Sequence, residues 1–326
     1  MLCIQHHSTD PYFNIATDEF ILKHLQEDCF MLWRNDNAII VGRHQNTLAE
    51  INYDYVKAHN IHVVRRLSGG GAVYHDLGNI NFSFTKKGDA NQLIDFETYT
   101  RPIVEVLQNL GVNARFEGRN DITIDGRKIS GNAEHVYRDK VLHHGTLLFS
   151  SKMKNVQEAL RINPLKYKDK AVKSVAKRVT NISEHLPEPL SIESFTQLVM
   201  DHIISHNKDC VPYSFTKADL DKIEQIKQER YATRAWNYGT SPDYSFKKDV
   251  KTPGGHLEMN LQVEKGYIRG VKVYGDFFNS RDITEIEAAL CGVEHEEQAI
   301  RSVLKQYTIG DYFHNMQEDD LIASMF

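Results

Sequence analysis

Cysteine is scarce in this chain of 326 residues: four, at Cys3, Cys29, Cys210 and Cys291, with no CxxC pair among them. That spacing offers neither a zinc site nor a thioredoxin-like redox pair. The first residues, MLCIQHHSTDPYFN, lack a basic region followed by an apolar run, so no secretory leader is expected. No apolar run is long enough to span a bilayer, which takes roughly 18 residues or more. A basic excess is missing too: 39 Lys and Arg stand against 44 Asp and Glu, for a net charge of −5 and a pI near 6.3. A nucleic-acid binder shows the opposite bias, although an acidic protein could still meet a local basic patch. HExxH, GxxxxGK[ST] and GxGxxG are all absent, as are internal repeats and low-complexity tracts. These absences leave a cytoplasmic, reduced protein with neither nucleic acid nor membrane as partner, and a monomer is expected.

What is present is ordinary globular material, 41% hydrophobic and 25% charged, and long enough for two domains. Apolar spacing predicts an amphipathic helix over 12–26 and helices at 52–59, 96–110, 192–204 and 218–230. Gly111 stands where the third of these should stop. Phe30–Trp33 and Ala38–Val41 read as a hairpin around Asn35–Asn37. Further strands are expected at 63–66, 80–84, 122–124, 128–130 and 142–149, with Asp125-Gly126 as a tight turn. Between 160 and 190 the run of Lys166, Lys168, Lys170, Lys173, Lys177 and Arg178 reads as a mobile basic loop. A connection is placed at 236–251, then strands at 256–263 and 267–273 and helices at 283–290 and 296–306. The mixed order predicts an α+β fold, divided into domains 1–245 and 246–326.

Four segments carry the chemical signal. In Arg65-Arg66-Leu67-Ser68-Gly69-Gly70-Gly71-Ala72-Val73-Tyr74-His75-Asp76-Leu77-Gly78-Asn79, three successive glycines allow close backbone approach and can turn N–H groups toward an anion. A glycine run alone also suits a flexible surface turn. Arg-Arg before it and Ala72-Val73-Tyr74 after it place this one between strands. The Arg66 guanidinium can grip carboxylate or phosphate. In Gly118–Ala133, Lys128 lies on an alternating, strand-like run and could stabilise charge developing on a carboxyl or phosphate; an exposed strand lysine is the commoner case. Asn120 and Asp121 suit nucleotide or magnesium, and equally suit turn chemistry. His143 and His144 are adjacent on a strand and so point to opposite faces; one packed and one exposed is expected. The fourth segment, Ser174–Ile182, brings Lys177 and Arg178, either to close over an anion or as a solvated loop.

Arg65–Asn79, Gly118–Asp121, Arg127–Gly131, His144–Leu148 and Ser174–Ile182, in this order and spacing, resemble the lipoate–protein ligase A family. The likeness extends over roughly 1–245, and the rest, with Gly275-Asp276-Phe277-Phe278, looks like the accessory domain of two-domain members. It implies the biotin/lipoate ligase fold, a mixed sheet with flanking helices, plus a small C-terminal α+β domain. It implies ATP and Mg2+ as cofactors, lipoic acid as substrate, and a lipoyl-AMP intermediate. The acceptor lysine belongs to lipoyl-acceptor proteins, the glycine-cleavage H protein and the E2 subunits of 2-oxoacid dehydrogenases. Carried over residue by residue, it assigns ATP contact to Arg66, Gly71, Ala72, Val73, Tyr74 and Lys128. Lipoate contact falls to Arg66, Ser68, His75 and Lys128, with Lys128 catalytic. Asn120 and Asp121 are added as nucleotide contacts, Asp121 also as the Mg2+ ligand. The chain departs from the family at Val175-Ala176-Lys177-Arg178, where members often carry Arg-Ser-Arg, and at His135, where some carry arginine.

The chemistry needs positive charge, because a carboxylate must approach a phosphate, and it needs no nucleophilic Ser or Cys, because the acceptor lysine attacks. Three other readings stay open on sequence alone. One is an ATP-independent lipoyl or octanoyl transferase, against which the four cysteines, all outside the motifs, argue. Another is a non-catalytic lipoate-binding protein. A biotin ligase is a third.

Overall fold

The computed structural model describes residues 1–88, 95–118, 120–160, 167–168, 179–275, 277 and 279–326. It resolves two compact units. The described part of the first is 1–43, 59–88, 95–118, 120–160 and 179–233; that of the second is 44–58, 167–168, 234–275, 277 and 279–326. The expected boundary at 245/246 falls inside the strand Tyr244–Thr252.

The first unit is built on an eight-stranded sheet. Its order is Val211–Tyr213, Leu2–Gln5, Cys29–Trp33, Asn79–Lys87, Lys140–Leu148, Arg127–Tyr137, Asp121–Ile124, Ala114–Glu117. Leu2–Gln5 runs parallel to both neighbours and the remaining pairs are antiparallel, so the sheet is mixed. One face is apolar. Phe30, Leu32, Ile80, Phe82, Phe84, Ile122, Ile129 and Val141 pack there against Ile103, Val106 and Leu107 of the helix Phe96–Asn109 and Phe195, Val199 and Ile203 of the helix Ile192–His206. Asp95 caps the first of these helices, accepting from Thr98 N at 3.1 Å, and Gly111, at φ +81°, follows its end. The other face carries the helix Pro11–Lys23, capped by Asp10, whose carboxylate accepts from Tyr12 N at 2.9 Å.

The expected hairpin does not form. Cys29–Trp33 enters the large sheet, while Ala38–Val41 is the middle strand of a separate three-stranded sheet, between His62–Arg65 and Val73–His75. Both strands are buried at every position. Neither has a solvent face to leave unpartnered, so each takes neighbours on both sides instead of pairing with the other. The buried Asn35 between them accepts from Asn14 Nδ2 at 2.9 Å and redirects the chain.

The second unit carries the sheet Tyr167–Lys168, Tyr244–Thr252, Gly255–Glu264, Tyr267–Gly275 and the helices Thr284–Leu290, Glu297–Leu304, Ile309–Tyr312 and Glu318–Met325. The last two helices carry no strong sequence signal: one has four residues, and the other starts from a Gln317 capping box. Of the basic loop expected at 160–190, Lys166, Lys170, Lys173, Lys177 and Arg178 lie outside the described residues, Lys168 belongs to a strand, and Ile182–Glu184 form a single 3-10 turn. Arg119, Asp276 and Phe278 also lie outside them. No helix of the described residues is long and apolar enough to cross a membrane. The cysteines are free thiols, though Cys3 and Cys210 meet with their sulfurs 3.1 Å apart.

Candidate functional site

Register decides which side chains share the face opposite the apolar core. Ser83 pairs with Met31 and His144, Asn81 with Trp33 and Thr146, and His144 with Ala133. Two residues along that strand from Ala133 is Gly131, which pairs with Asp121. Lys128, opposite Thr123, reaches the same face through a bulge at Ile129: its Nζ sits 3.0 Å from Asp121 Oδ1, over the Cα of Gly131. A cation, a carboxylate, Thr146, Asn81 and His144 therefore line one side of a sheet whose other side packs the apolar core.

Gly131 is there because Lys128 needs the room. A Cβ at 131 would lie 2.7 Å from the lysine Nζ. The amine is the flexible end of its side chain, so Gly131→Ala should move it off Asp121 without unfolding the protein. The catalytic role that the resemblance implies for Lys128 then predicts a lipoate-adenylation rate lower by about tenfold, with an unchanged urea midpoint. A rate equal to wild type would show that the amine position does not matter.

The glycine loop is shaped by Arg66. Burial pulls this guanidinium down to about 10, and among the described residues no carboxylate answers it. Instead Nη1 donates to Ile40 O at 3.0 Å, Nε to Ser68 Oγ at 3.0 Å, and Nη2 to the carbonyls of Gly69 and Gly71. Gly70, between the last two, has φ +88°, a conformation that glycine adopts without strain. Two carbonyls of the loop, those of Gly69 and Gly71, are thereby drawn onto Arg66. Tyr74 gives its hydroxyl to Asn37 at 3.0 Å and its backbone to the three-stranded sheet beside Ile39.

His75 is fixed in tautomer. Asn35 Oδ1 accepts from Asn14, so its Nδ2 donates to His75 Nδ1, at 3.1 Å; the ring proton therefore sits on Nε2, which is buried and has no partner among the described residues. Burial first, then Arg66 and His144, hold His75 at about 3, against 6.5 when exposed. The unfolded chain thus gains a proton below pH 6.5 that the fold refuses until about 3. Stability is complete above that window and lost as pH falls through it, by about 1.4 kcal/mol per pH unit. The urea midpoint of His75→Gln should fall less steeply than wild type between pH 6.5 and 4; parallel curves would refute the neutral, buried imidazole.

Both adjacent histidines are buried, which corrects the expectation of one packed and one exposed. They do point to opposite faces. His143 stacks on Tyr99 and Phe82 and meets Glu134 Oε1 at 2.8 Å. His144 meets Asp18 Oδ2 at 2.8 Å and Ser68 Oγ at 2.5 Å. Sequence reasoning misses Asp18. Its signal is a carboxylate inside the apolar run Ile15–Leu22 with no lysine or arginine four residues away on either side. Asn120 is drawn into a turn, its Nδ2 on Asn132 O at 2.5 Å. Among the described residues no three His, Cys, Asp or Glu gather as a metal site.

Residues 10–204 match the lipoyl protein ligase A/B catalytic domain, and 241–325 the bacterial lipoate protein ligase C-terminus. Lipoate–protein ligase 1 of Staphylococcus aureus is 44% identical over 319 residues, 97% of each chain. This chain belongs to the lipoate–protein ligase family. The ligase attaches lipoate to acceptor proteins at the expense of ATP. Among solved structures, a lipoate–protein ligase A bound with ATP has a TM-score of 0.63 at 24% identity, covering 73% of this ligase and 98% of that chain. The bi-partite lipoate protein ligase of Thermoplasma acidophilum, described with its E2 lipoyl domain, gives the same score and identity over 73% and 95%. Both are likenesses of fold.

Proposed function

We propose that this ligase joins lipoate to ATP as lipoyl-AMP on the polar face of its large sheet, then passes the lipoyl group to a lysine of an acceptor lipoyl domain in the cytoplasm. The observation that supports it is the sharing of that face: Lys128 and Asp121 stand on the same side as His144, and His144 holds Ser68 of the glycine loop. Lys128 offsets the repulsion between the lipoate carboxylate and the α-phosphate as they approach, and then the charge that develops between them. ATP contact is assigned to the stretch Gly71-Ala72-Val73-Tyr74, with Arg66 behind it. His75 offers its free Nε2–H to a lipoate oxygen. Arg66 acts on the nucleotide through the loop it braces, since its donors are already engaged with protein carbonyls and Ser68.

Mg2+ usually keeps its own waters and takes one or two carboxylates beside the phosphates. Asp121, with one carboxylate oxygen on Lys128, fits that modest demand. The ion would neutralise phosphate charge there. The acceptors proposed are the glycine-cleavage H protein and the E2 subunits of 2-oxoacid dehydrogenases.

The test is mass spectrometry of an H protein or E2 lipoyl domain incubated with the ligase, lipoate, ATP and Mg2+, each omitted in turn. The acceptor should gain one lipoyl mass only in the complete mixture, with pyrophosphate formed even before acceptor is added. Lipoylation without ATP would replace this scheme with direct acyl transfer.

A further inference from the structure

A chain of hydrogen bonds crosses the site from the large sheet to the glycine loop, and its two ends can only donate. At one end is Trp33, whose Nε1–H goes to Ser83 Oγ at 3.0 Å; at the other is Arg66, whose Nε–H goes to Ser68 Oγ at 3.0 Å. Between them the Asp18 carboxylate can only accept, and it fixes the direction of the bonds that reach it. His144 Nδ1–H donates to Asp18 Oδ2 at 2.8 Å, and Ser68 Oγ, which accepts from Arg66, lies 2.5 Å from His144 Nε2. Ser83, accepting from Trp33, donates to Asp18 Oδ1 at 2.6 Å. Both polarised strings end on the Asp18 carboxylate. Asp18, Ser68 and Ser83 are almost completely buried, and His144 nearly so.

We infer that Asp18, His144 and Ser68 are positioning residues for the nucleotide: they orient Arg66, and through it the carbonyls of Gly69 and Gly71, so that the glycine loop is set for ATP before ATP arrives. Two features of the molecule call for such a device. Arg66 is a buried cation with no carboxylate beside it among the described residues, and the Asp18 carboxylate is joined to it by hydrogen bonds through His144 and Ser68. The loop is also glycine-rich and would lose much entropy on binding if it were not ordered in advance. The pairwise geometry resembles a serine nucleophile with its base, but Ser68 already accepts a hydrogen bond from Arg66, and the proposed reaction has its nucleophile in the acceptor lysine. The role assigned is therefore orientation, with no covalent step.

This inference rests on the reading that the glycine loop binds ATP, and the test separates the two. Binding of a non-hydrolysable ATP analogue, with Mg2+ and without lipoate, is measured for wild type, Asp18→Asn, Ser68→Ala and the double variant. Asparagine keeps the shape at 18 and removes the charge. Asp18→Asn alone should weaken the analogue about fivefold, and Ser68→Ala by a similar factor. The double variant should be no weaker than Ser68→Ala, because the coupling runs through the serine. Ser68→Thr, which retains the hydroxyl, should bind within twofold of wild type, an outcome that merely filling space would not require. Equal fivefold losses from Asp18→Asn in both backgrounds, or no loss in either, would overturn the relay. His144→Gln in the same two backgrounds discriminates in the same way where Asp18→Asn does not fold. No analogue binding by wild type would instead overturn the nucleotide assignment of the loop.

Discussion

Replacing Lys128 with alanine should lower lipoate-dependent pyrophosphate release by about 10²- to 10³-fold, the range for removing one positioned charge stabiliser from a site of developing negative charge. Two anions have to meet in the first half-reaction. Lys128 is the cation with its amine on the polar sheet face at Asp121, whereas the Arg66 guanidinium is turned into the protein. The loss should therefore fall on kcat more than on the KM of either substrate. Stability should suffer little from the missing lysine, whose side chain is about one quarter exposed, and somewhat more from the Asp121 carboxylate, which is 6% exposed beside the lysine and loses that partner. The informative second measurement supplies ready-made lipoyl-AMP to the variant together with acceptor protein. Once the anhydride exists the two anions no longer need to be brought together, so transfer should be much less impaired than adenylation. Equal loss in both half-reactions would mean that Lys128 acts on the shared lipoyl carbonyl, and a normal adenylation rate would remove it from the mechanism.

Local pattern carries the helices and strands well because their signals are local. The helix at Phe96–Asn109 has its Asp95 cap and Gly111 stop, and Asp125-Gly126 turns between two alternating strands with both residues at positive φ. The failure at the expected hairpin has the same physical root. Phe30–Trp33 and Ala38–Val41 are apolar at every position, so they carry no alternation to say which partner or face they want. Which strands become neighbours is then settled by distant segments, Asn79–Lys87 for one and His62–Arg65 for the other. The site divides along the same line. Arg66, the glycines, Lys128 and Asp121 are legible because glycine runs and strand lysines are unusual in themselves. Asp18 and Trp33 are far from those motifs in sequence and meet His144 and Ser83 only after the sheet has formed. Nor could spacing say that Arg66 would turn its guanidinium inward. That follows from the carbonyls of Ile40, Gly69 and Gly71 all facing one buried point.

Arg66→Lys should therefore be far from conservative. The native guanidinium donates along four directions at once, to Ile40, Ser68, Gly69 and Gly71, and it is the flat fork that allows this. An ammonium has three N–H groups at a single point and cannot reach carbonyls on both sides. It is also more strongly hydrated, so burying it without a carboxylate costs more than burying the guanidinium. Arg66→Lys should raise the KM for ATP by at least about tenfold and slow adenylation by roughly 10²-fold, through a loop no longer held in place. Arg66→Met separates charge from bracing. It removes a buried cation, which favours the variant, but leaves three carbonyls and the Ser68 hydroxyl without their donor, at about 1–3 kcal/mol for each group that finds no water. With several groups against one desolvated charge, the balance lies on the destabilising side. Urea unfolding should place Arg66→Met below wild type, because the lost hydrogen bonds outweigh the relief of the buried charge. The reverse order, with Arg66→Met more stable than wild type, would show that the arginine is retained for the nucleotide at the expense of the fold. In either order ATP binding by Arg66→Met should be lost, and an undiminished affinity would mean that the glycine loop holds its shape without Arg66.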